Sequence, residues 1–492
     1  MNSMVFASVS SLLPVIVVAL TALVVMIAIA IKRSHFWVAT LSVVGLNIAL
    51  LALIAQASGL IISGEAFGNL YLFDGFAKFN MGVIVIAALA CCTLSYGYFE
   101  TLKDNKDELY LLMLISTMGA MLMTGAQHLA SFFMSLELLS VPMYGMLAYT
   151  FLRARSLESG LKYLVMSAAA SATLLMGMAL IYADAGTLYF GELAKLLFSG
   201  QVSSLFVAGS VMMMAAIAFK LSAAPFHAWV SDVYEGAPAP VAAFLASVSK
   251  VAMMALALRF MIGSMVPVMP AFDNVLILII ALSILLGNLL AIRQQNLKRM
   301  LAYSSIAHIG YALIALLSVG SGSTSVISMY MAVYALTSIG AFGVIALMSS
   351  PYRERGHTSI SGEADELRFY QGLFWRRPVL SGVLTVMLLS LAGIPLTAGF
   401  VTKFTIFFTA VQGVRFWAAG MVILGSAIGL YYYLRVLVTL YQKPKVQLEY
   451  DAHEHWGIKA GGIMVMIVTV LVVVFGILPE GLMQMVSFAT IG

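Results

Sequence analysis

One carboxylate and three lysines lie far from any loop, inside long apolar stretches of this chain: Glu137, Lys220, Lys250 and Lys403. A charge at the centre of a bilayer costs about 2.5 to 3.5 kcal/mol on insertion scales, so each of the four needs a use. The chemistry open to such a set is proton transfer. Desolvation disfavours the charged form of a lysine, and a neighbouring carboxylate favours it. If Glu137 pairs with Lys220, that lysine keeps its proton; once the pair opens, Lys220 can hand the proton to Lys250, and water and His308 then lead to Lys403. His308, in the stretch YSSIAHIGY, is mid-span and titrates close to neutral pH. Its bland alternative is a neutral histidine bonded to a neighbouring helix. For Glu137 the alternative is a charge that only holds helices together, and for Lys250 a solvated lysine with no relay duty. His227, two residues after Pro225, is either a proton-uptake group or a solvated loop histidine.

The elements that position these groups are membrane helices. Hydrophobic residues make up 62% of the chain and charged residues 10%, against about 45 to 50% and 25% in soluble domains. Apolar runs of about 20 residues fall near 12–31, 36–56, 79–99, 109–126, 129–151, 161–183, 203–226, 238–262, 275–292, 299–318, 324–349, 378–411, 415–441 and 457–482, which gives fourteen spans. The first lacks a preceding basic stretch and a small-residue cleavage site, so it reads as a retained helix.

Basic residues alternate sides. Eighteen Lys and Arg fall in odd-numbered loops, and only Lys78, Lys195 and Arg415 fall in even-numbered ones. The positive-inside rule then places both termini away from the cytoplasm. The net charge of +5 is this same loop bias and gives no argument for nucleic acid. Besides the three lysines, Arg259 and Arg435 lie within spans, each near a helix end, where snorkelling to water is the favoured reading.

Redox chemistry finds no footing here. The two cysteines, Cys91 and Cys92, are adjacent on one span, whereas an iron–sulfur cluster needs about four thiolates. The nearest Gly-rich piece, Gly320 to Ser323, joins two apolar runs and follows no strand, so it is no nucleotide fingerprint. The 32 methionines do not cluster with cysteine or histidine and read as apolar filler. No cofactor or metal site is expected on this chain.

Two helices look broken beside their lysines. AIAFKLSAAPFHAWV places Pro225 five residues after Lys220, and LLSLAGIPLTAGFVTKF places Gly393, Pro395 and Gly399 before Lys403. Proline interrupts the helical hydrogen bonds, and irregular backbone at membrane depth requires protein or water to satisfy it. The breaks are five spans apart. Spans 4–8 and 9–13 therefore form two five-helix units, inverted because the number of helices in each is odd, with broken helices 7 and 12. The fold class expected is an all-α polytopic membrane protein of 14 transmembrane helices with two inverted repeats. Its divisions are an N-terminal three-helix segment (1–107), a first repeat (108–262), a second repeat (263–441) and a C-terminal helix (442–492).

The stretches FKLSAAPFHAWVSDVYEGAPAPVAAFLASVSK, NLKRMLAYSSIAHIGY and SLAGIPLTAGFVTKF together resemble the antiporter-like membrane subunits of respiratory complex I, along essentially the whole chain. The resemblance implies a fourteen-helix subunit of a bacterial proton-translocating NADH:quinone oxidoreductase, multi-pass in the cell inner membrane, beside other antiporter-like and small membrane subunits and lipids. It implies FMN, iron–sulfur clusters and quinone on other subunits, with quinone reduction there driving protons from cytoplasm to periplasm. By motif, Glu137 matches the family's glutamate on the fifth helix, Lys220 the lysine on the broken seventh, Lys250 that on the eighth and Lys403 that on the broken twelfth. Two other classes share these features in part: a subunit of an Mrp-type cation/proton antiporter, and a membrane scaffold without transport.

Overall fold

A computed structural model of the chain describes residues 10–61, 64, 66–100, 106–199, 203–264, 270–319, 323–349, 363–443, 450–453, 455–489 and 491. Gly320 to Gly322 of the Gly-rich piece, and Lys103, Arg353, Arg355 and Lys445 of the basic loops, lie outside the described residues. The architecture is all-helical apart from a two-residue hairpin, Ala66–Phe67 with Tyr71–Leu72. Each expected apolar run coincides with a helix. They are α1 Leu13–Ile31, α2 His35–Ala57, α3 Gly75–Glu100, α4 Glu108–Met123, α5 Leu129–Leu147, α6 Ala154–Ala185, and α7 in two pieces, α7a Ser204–Leu221 and α7b Ala228–Gly236. There follow α8 Ala239–Gly263, α9 Pro270–Ile292, α10 Leu297–Val319, α11 Ser323–Met348, α12a Pro378–Ala392, α12b Ala398–Gln412, α13 Phe416–Tyr441 and α14 Ala460–Ile477. Among the described residues, twelve helices are long and apolar enough to cross a membrane; α4 and α12a are apolar but shorter.

The two breaks have the same local cause. Ser222 ends α7a with φ 63° and Gly393 ends α12a with φ 84°, both left-handed. In each case the next amide donates back into the last turn, Ala223 N to Ala218 O and Ile394 N to Leu389 O, which closes the helix end. Pro225 and Pro395 then prevent continuation. The expected run 203–226 therefore stops as a helix at Leu221. The last run divides likewise, because Pro479 starts a new short helix, Pro479–Ser487.

Burial orders the bundle. Every residue in the most apolar window of α8 is buried, whereas only 28% of the corresponding windows of α1 and α14 are. α8 is therefore the axis of the molecule, packed against α3, α4 and α11. A π-helical turn, Leu245–Ser249, interrupts it immediately before Lys250. Close helix crossings use glycine: a Cβ on Gly177 of α6 would lie 2.7 Å from Gly209 O of α7a.

The structure overturns the snorkelling reading of Arg259. Its side chain is 2% exposed, and its guanidinium pairs with Asp74 Oδ1 at 2.6 Å and donates to Thr124 O at 2.7 Å. Asp74 also caps α3 through Ala77 N, so the pair ties α8 to the start of α3 and the end of α4. A desolvated guanidinium with a hydrogen-bonded carboxylate needs no route to water. Arg435 differs: it stays half-buried near its helix end, and its guanidinium donates to Ile292 O and Gln294 O at the end of α9.

At the end of the bundle that carries the basic loops, a second buried cluster joins elements distant in sequence. Glu363 accepts from Lys298, from the Tyr98 hydroxyl and from Ala239 N, and Arg153 lies 3.5 Å away. Burial alone would raise the Glu363 carboxyl pKa, but the charges of Lys298 and then Arg153 outweigh burial and hold it below the ordinary value. A depressed folded pKa means that the carboxylate's contribution to stability is present above the unfolded value of about 4.3 and is lost as pH falls through the folded one. Glu363→Gln should lower the thermal midpoint of the purified subunit at pH 7. The gap from wild type should close as the melt is repeated at pH values below about 4, and a gap that persists there would refute the assignment.

Candidate functional site

The site grows from three helices that face one another. Glu137 and Ser140 of α5 are one turn apart, as are Ser167 and Ser171 of α6, so each pair forms a short polar stripe on an apolar helix. Ser171 donates to Glu137 Oε1 at 2.5 Å. Ser167 sits 2.9 Å from the Tyr144 hydroxyl and accepts from Lys220 Nζ at 2.7 Å, and Lys220 also donates to Ser140 Oγ at 3.0 Å. The expected Glu137–Lys220 ion pair is not made within 4 Å. A ladder of hydroxyls stands between the two groups, because α6 is inserted beside α5 and its serines take the space. Glu137 is half-buried toward the outer face of α5, beside exposed Met134 and Val141, whereas Lys220 is 6% exposed.

Lys250 lies just beyond. It is fully buried, and its Nζ donates to Leu221 O at 2.7 Å, to Lys220 O at 3.4 Å and to the Ser222 hydroxyl. These are the last carbonyls of α7a, which lack intrahelical partners and carry the negative end of the helix dipole. The Trp229 ring packs beneath the ammonium at 5.4 Å, a cation–π contact.

Lys403 holds the matching post on the other broken helix. Its Nζ donates to Leu391 O at 2.7 Å and Ala392 O at 3.1 Å, and it lies 5.0 Å over the Tyr311 ring. Leu391 and Ala392 each stand 171 residues after Lys220 and Leu221, as Gly393 does after Ser222 and His308 after Glu137. Span number alone pairs Lys220 with Lys403, on the seventh and twelfth spans; in the structure the two lysines with the same contacts are Lys250 and Lys403. The freed backbone at each break is satisfied by a serine: Ala224 N donates to Ser283 Oγ of α9 at 2.9 Å, and Gly399 N to Ser390 Oγ at 3.1 Å. Gly399 has no alternative, because a Cβ there would collide with Ser390 O.

His308 is buried, with Nδ1 2.6 Å from the Tyr330 hydroxyl and Nε2 3.5 Å from that of Tyr433, which in turn meets Ser304. A small cavity lies between it and Lys403, lined by both and by Tyr334, Thr337, Ser390 and Thr402, with about 10 Å³ for water centres, close to the room of one water molecule. The structure thus brings Lys220 to Lys250, and His308 to Lys403. His227 joins neither group by a hydrogen bond: it is half-buried beside exposed Pro225 and Phe226, and its Nδ1 is buried without a partner. Among the described residues no group of three or more His, Cys, Asp or Glu could hold a metal. Sequence reasoning missed Ser140, Ser167, Ser171, Ser222, Tyr330 and Tyr433. Ser140, Ser167 and Ser171 had a usable signal, their spacing of three or four from Glu137 or from one another; Ser222 had none.

Two broken helices whose ends are capped by buried lysines, set in an all-helical membrane bundle, define an antiporter-like subunit. Residues 126–429 match the NADH:quinone oxidoreductase/Mrp antiporter transmembrane family. The chain is 61% identical over 481 residues to NADH-quinone oxidoreductase subunit N of Psychrobacter arcticus, covering 97% of this chain and 96% of that one. It is 51% identical over 487 residues to the subunit N of Acinetobacter baumannii, covering 99% and 96%. The chain belongs to the NADH-quinone oxidoreductase subunit N family. Among solved structures, a chain of respiratory complex I from Thermus thermophilus matches with TM-score 0.81 and 28% identity over 96% of this chain and 98% of that one. A chain of the Mrp complex from Dietzia matches with TM-score 0.83 and 19% identity over 98% and 97%, which shows the shared fold alone.

The ladder carries its own test. Ser167→Ala removes the nearest acceptor of a buried ammonium, a loss of about 1.5 to 3 kcal/mol for a hydrogen bond to a charged group. Ser171→Ala removes a donor to a carboxylate that is partly open. In thermal melts of the purified subunit, the first substitution should lower the midpoint clearly more than the second; equal shifts would remove Lys220 from the ladder.

Proposed function

We propose that this chain carries protons from the cytoplasm to the periplasm as a membrane-arm subunit of NADH:quinone oxidoreductase in a bacterial inner membrane. In this reading quinone reduction in neighbouring subunits drives the transfer, and FMN, iron–sulfur clusters and quinone are bound there. The observation that carries it is the nature of the lysine partners. Every hydrogen bond made by Lys220, Lys250 and Lys403 goes to a neutral hydroxyl or carbonyl oxygen. A helix-holding charge would be paired with a carboxylate, as Arg259 is with Asp74. Neutral acceptors stabilise an ammonium without trapping its proton.

Glu137, at the partly open face of α5, exchanges its proton with Lys220 through Ser171, Ser167 and Ser140. Lys220 and Lys250 share the end of α7a, so a proton leaving one reaches the other around Ser222. Water and His308 continue the line to Lys403, past the second break, where release toward the periplasm fits both termini lying on that side. A proton-uptake role for His227 rests on its unpartnered Nδ1 at the first break. The inverted repeat, with units 108–262 and 263–441 flanked by 1–107 and 442–492, is supported by the constant interval of 171 residues between matching positions. That interval also supports fourteen crossings, since α4 and α12a must then traverse the bilayer like their counterparts. The Mrp-type alternative shares the fold, and the subunit N relatives weigh against it.

The test is substitution at the lysines. Arginine keeps the positive charge, but its pKa above about 12 prevents release of a proton during turnover. Lys220→Arg, Lys250→Arg and Lys403→Arg should each assemble yet lower NADH-driven proton uptake into inverted vesicles at least several-fold, with quinone reduction slowed alongside. Glu137→Ala should do the same and Glu137→Asp should retain part of the rate. Three Arg variants that pump like wild type would leave the lysines as fixed charges.

A further inference from the structure

Lys250 rests on three acceptors, and one of them sits in a backbone conformation that its residue type disfavours. Ser222, which ends α7a, is left-handed at φ 63° and completely buried. A side chain in that conformation crowds the following carbonyl, whereas glycine adopts it freely. Glycine stands at the matching place on the second break, Gly393 with φ 84°. Leu396 and Val414 are left-handed too, but both are exposed. A buried serine at 222 therefore needs a reason beyond the turn. Among the described residues, the hydrogen bond its side chain makes is the one to Lys250 Nζ.

The three partners of Lys250 differ in chemistry. An ammonium has three N–H donors, and Leu221 O, Lys220 O and the Ser222 hydroxyl take them. When Lys250 gives up a proton, its amine keeps two N–H groups and gains a lone pair that requires a donor. Carbonyls only accept, and the face of the Trp229 ring attracts only the cation. The Ser222 hydroxyl alone can turn and donate. Without it, the lone pair would be left buried and unmet, at the full cost of its desolvation. At Lys403 the two bonded partners are carbonyls, and a Cβ on Gly393 would lie 2.8 Å from Lys403 Cδ, which leaves no room for a matching side chain. The small cavity beside Lys403 offers space for a water there instead.

We propose that Ser222 is a positioning residue for Lys250: its hydroxyl accepts from the ammonium, donates to the neutral amine, and so holds Nζ at the end of α7a in both protonation states. The proposal rests on the proton-relay reading given above and deepens it, by naming the residue that lets Lys250 stand without its proton.

The experiment compares NADH-driven proton uptake into inverted vesicles, per assembled complex, with the temperature at which this chain aggregates in solubilised membranes. Ser222→Ala removes the hydroxyl and keeps the unfavourable backbone, whereas Ser222→Gly removes the hydroxyl and relieves the backbone. The Gly variant should therefore aggregate at a higher temperature than the Ala variant, while both lower uptake at least threefold and to the same extent. Ser222→Thr, which returns the hydroxyl on a bulkier side chain, should be the least heat-resistant of the three and pump best; if it does not assemble, the Ala and Gly variants decide. Uptake that follows heat resistance, with Gly above Ala, would leave Ser222 a folding role and overturn the proposal, as would a Gly variant that fails to assemble. Lys250→Ala is measured alongside. If it silences pumping while Ser222→Gly pumps like wild type, the assignment of Ser222 alone falls; if Lys250→Ala also pumps like wild type, the relay through Lys250 falls with it.

Discussion

A lysine ammonium resting on the spent carbonyls of a half-helix is the interaction on which this molecule depends. Such an end carries the equivalent of about half a negative charge, enough to favour a cation and too little to hold it as a carboxylate would. Lys250 on α7a and Lys403 on α12a both use it. The arrangement accounts for the breaks: a continuous helix would consume those carbonyls internally and leave the ammonium with nothing. It also accounts for the glycine at 399 and the serines at 283 and 390, which allow the chain to be interrupted without unsatisfied amides.

Charges with a structural duty are built differently. Arg259 with Asp74, and Lys298 and Arg153 around Glu363, are cation–carboxylate contacts, and each joins elements distant in sequence. They lie toward helix ends, whereas the carboxylate-free lysines occupy the middle of the bundle. The chemistry of the partner, more than depth alone, separates the charges that bind helices from those proposed to exchange protons.

Much of this was legible in the sequence. Span positions followed from apolar runs, and the breaks from Pro225, Gly393 and Pro395, because proline and glycine act locally. The mid-span lysines stood out because charge is costly there. What was hidden depends on tertiary placement. Nothing local says that α6 slides its serines between Glu137 and Lys220, so a direct pair was expected where a hydroxyl ladder exists. Arg259 looked like a snorkelling residue because its partner Asp74 is 185 positions away and reads as an ordinary loop carboxylate. The equivalence of Lys250 and Lys403 was also invisible, since Lys250 reaches such carbonyls from the helix after the broken one and Lys403 from the second piece of the broken helix itself.

The π turn at Leu245–Ser249 carries a consequence for the whole of α8. A π turn accommodates one more residue than an α turn, so it sets the rotational phase of everything after it by about 100°. Lys250 and Arg259 both follow it, about two and a half turns apart, and therefore point in opposite directions from the central axis of the bundle. One faces the end of α7a and the other faces Asp74. The phase set by that single turn aims both the lysine on the half-helix end and the arginine of the ion pair, so the seating of Lys250 and the clamping of the N-terminal helices share one mechanical setting and cannot be adjusted independently.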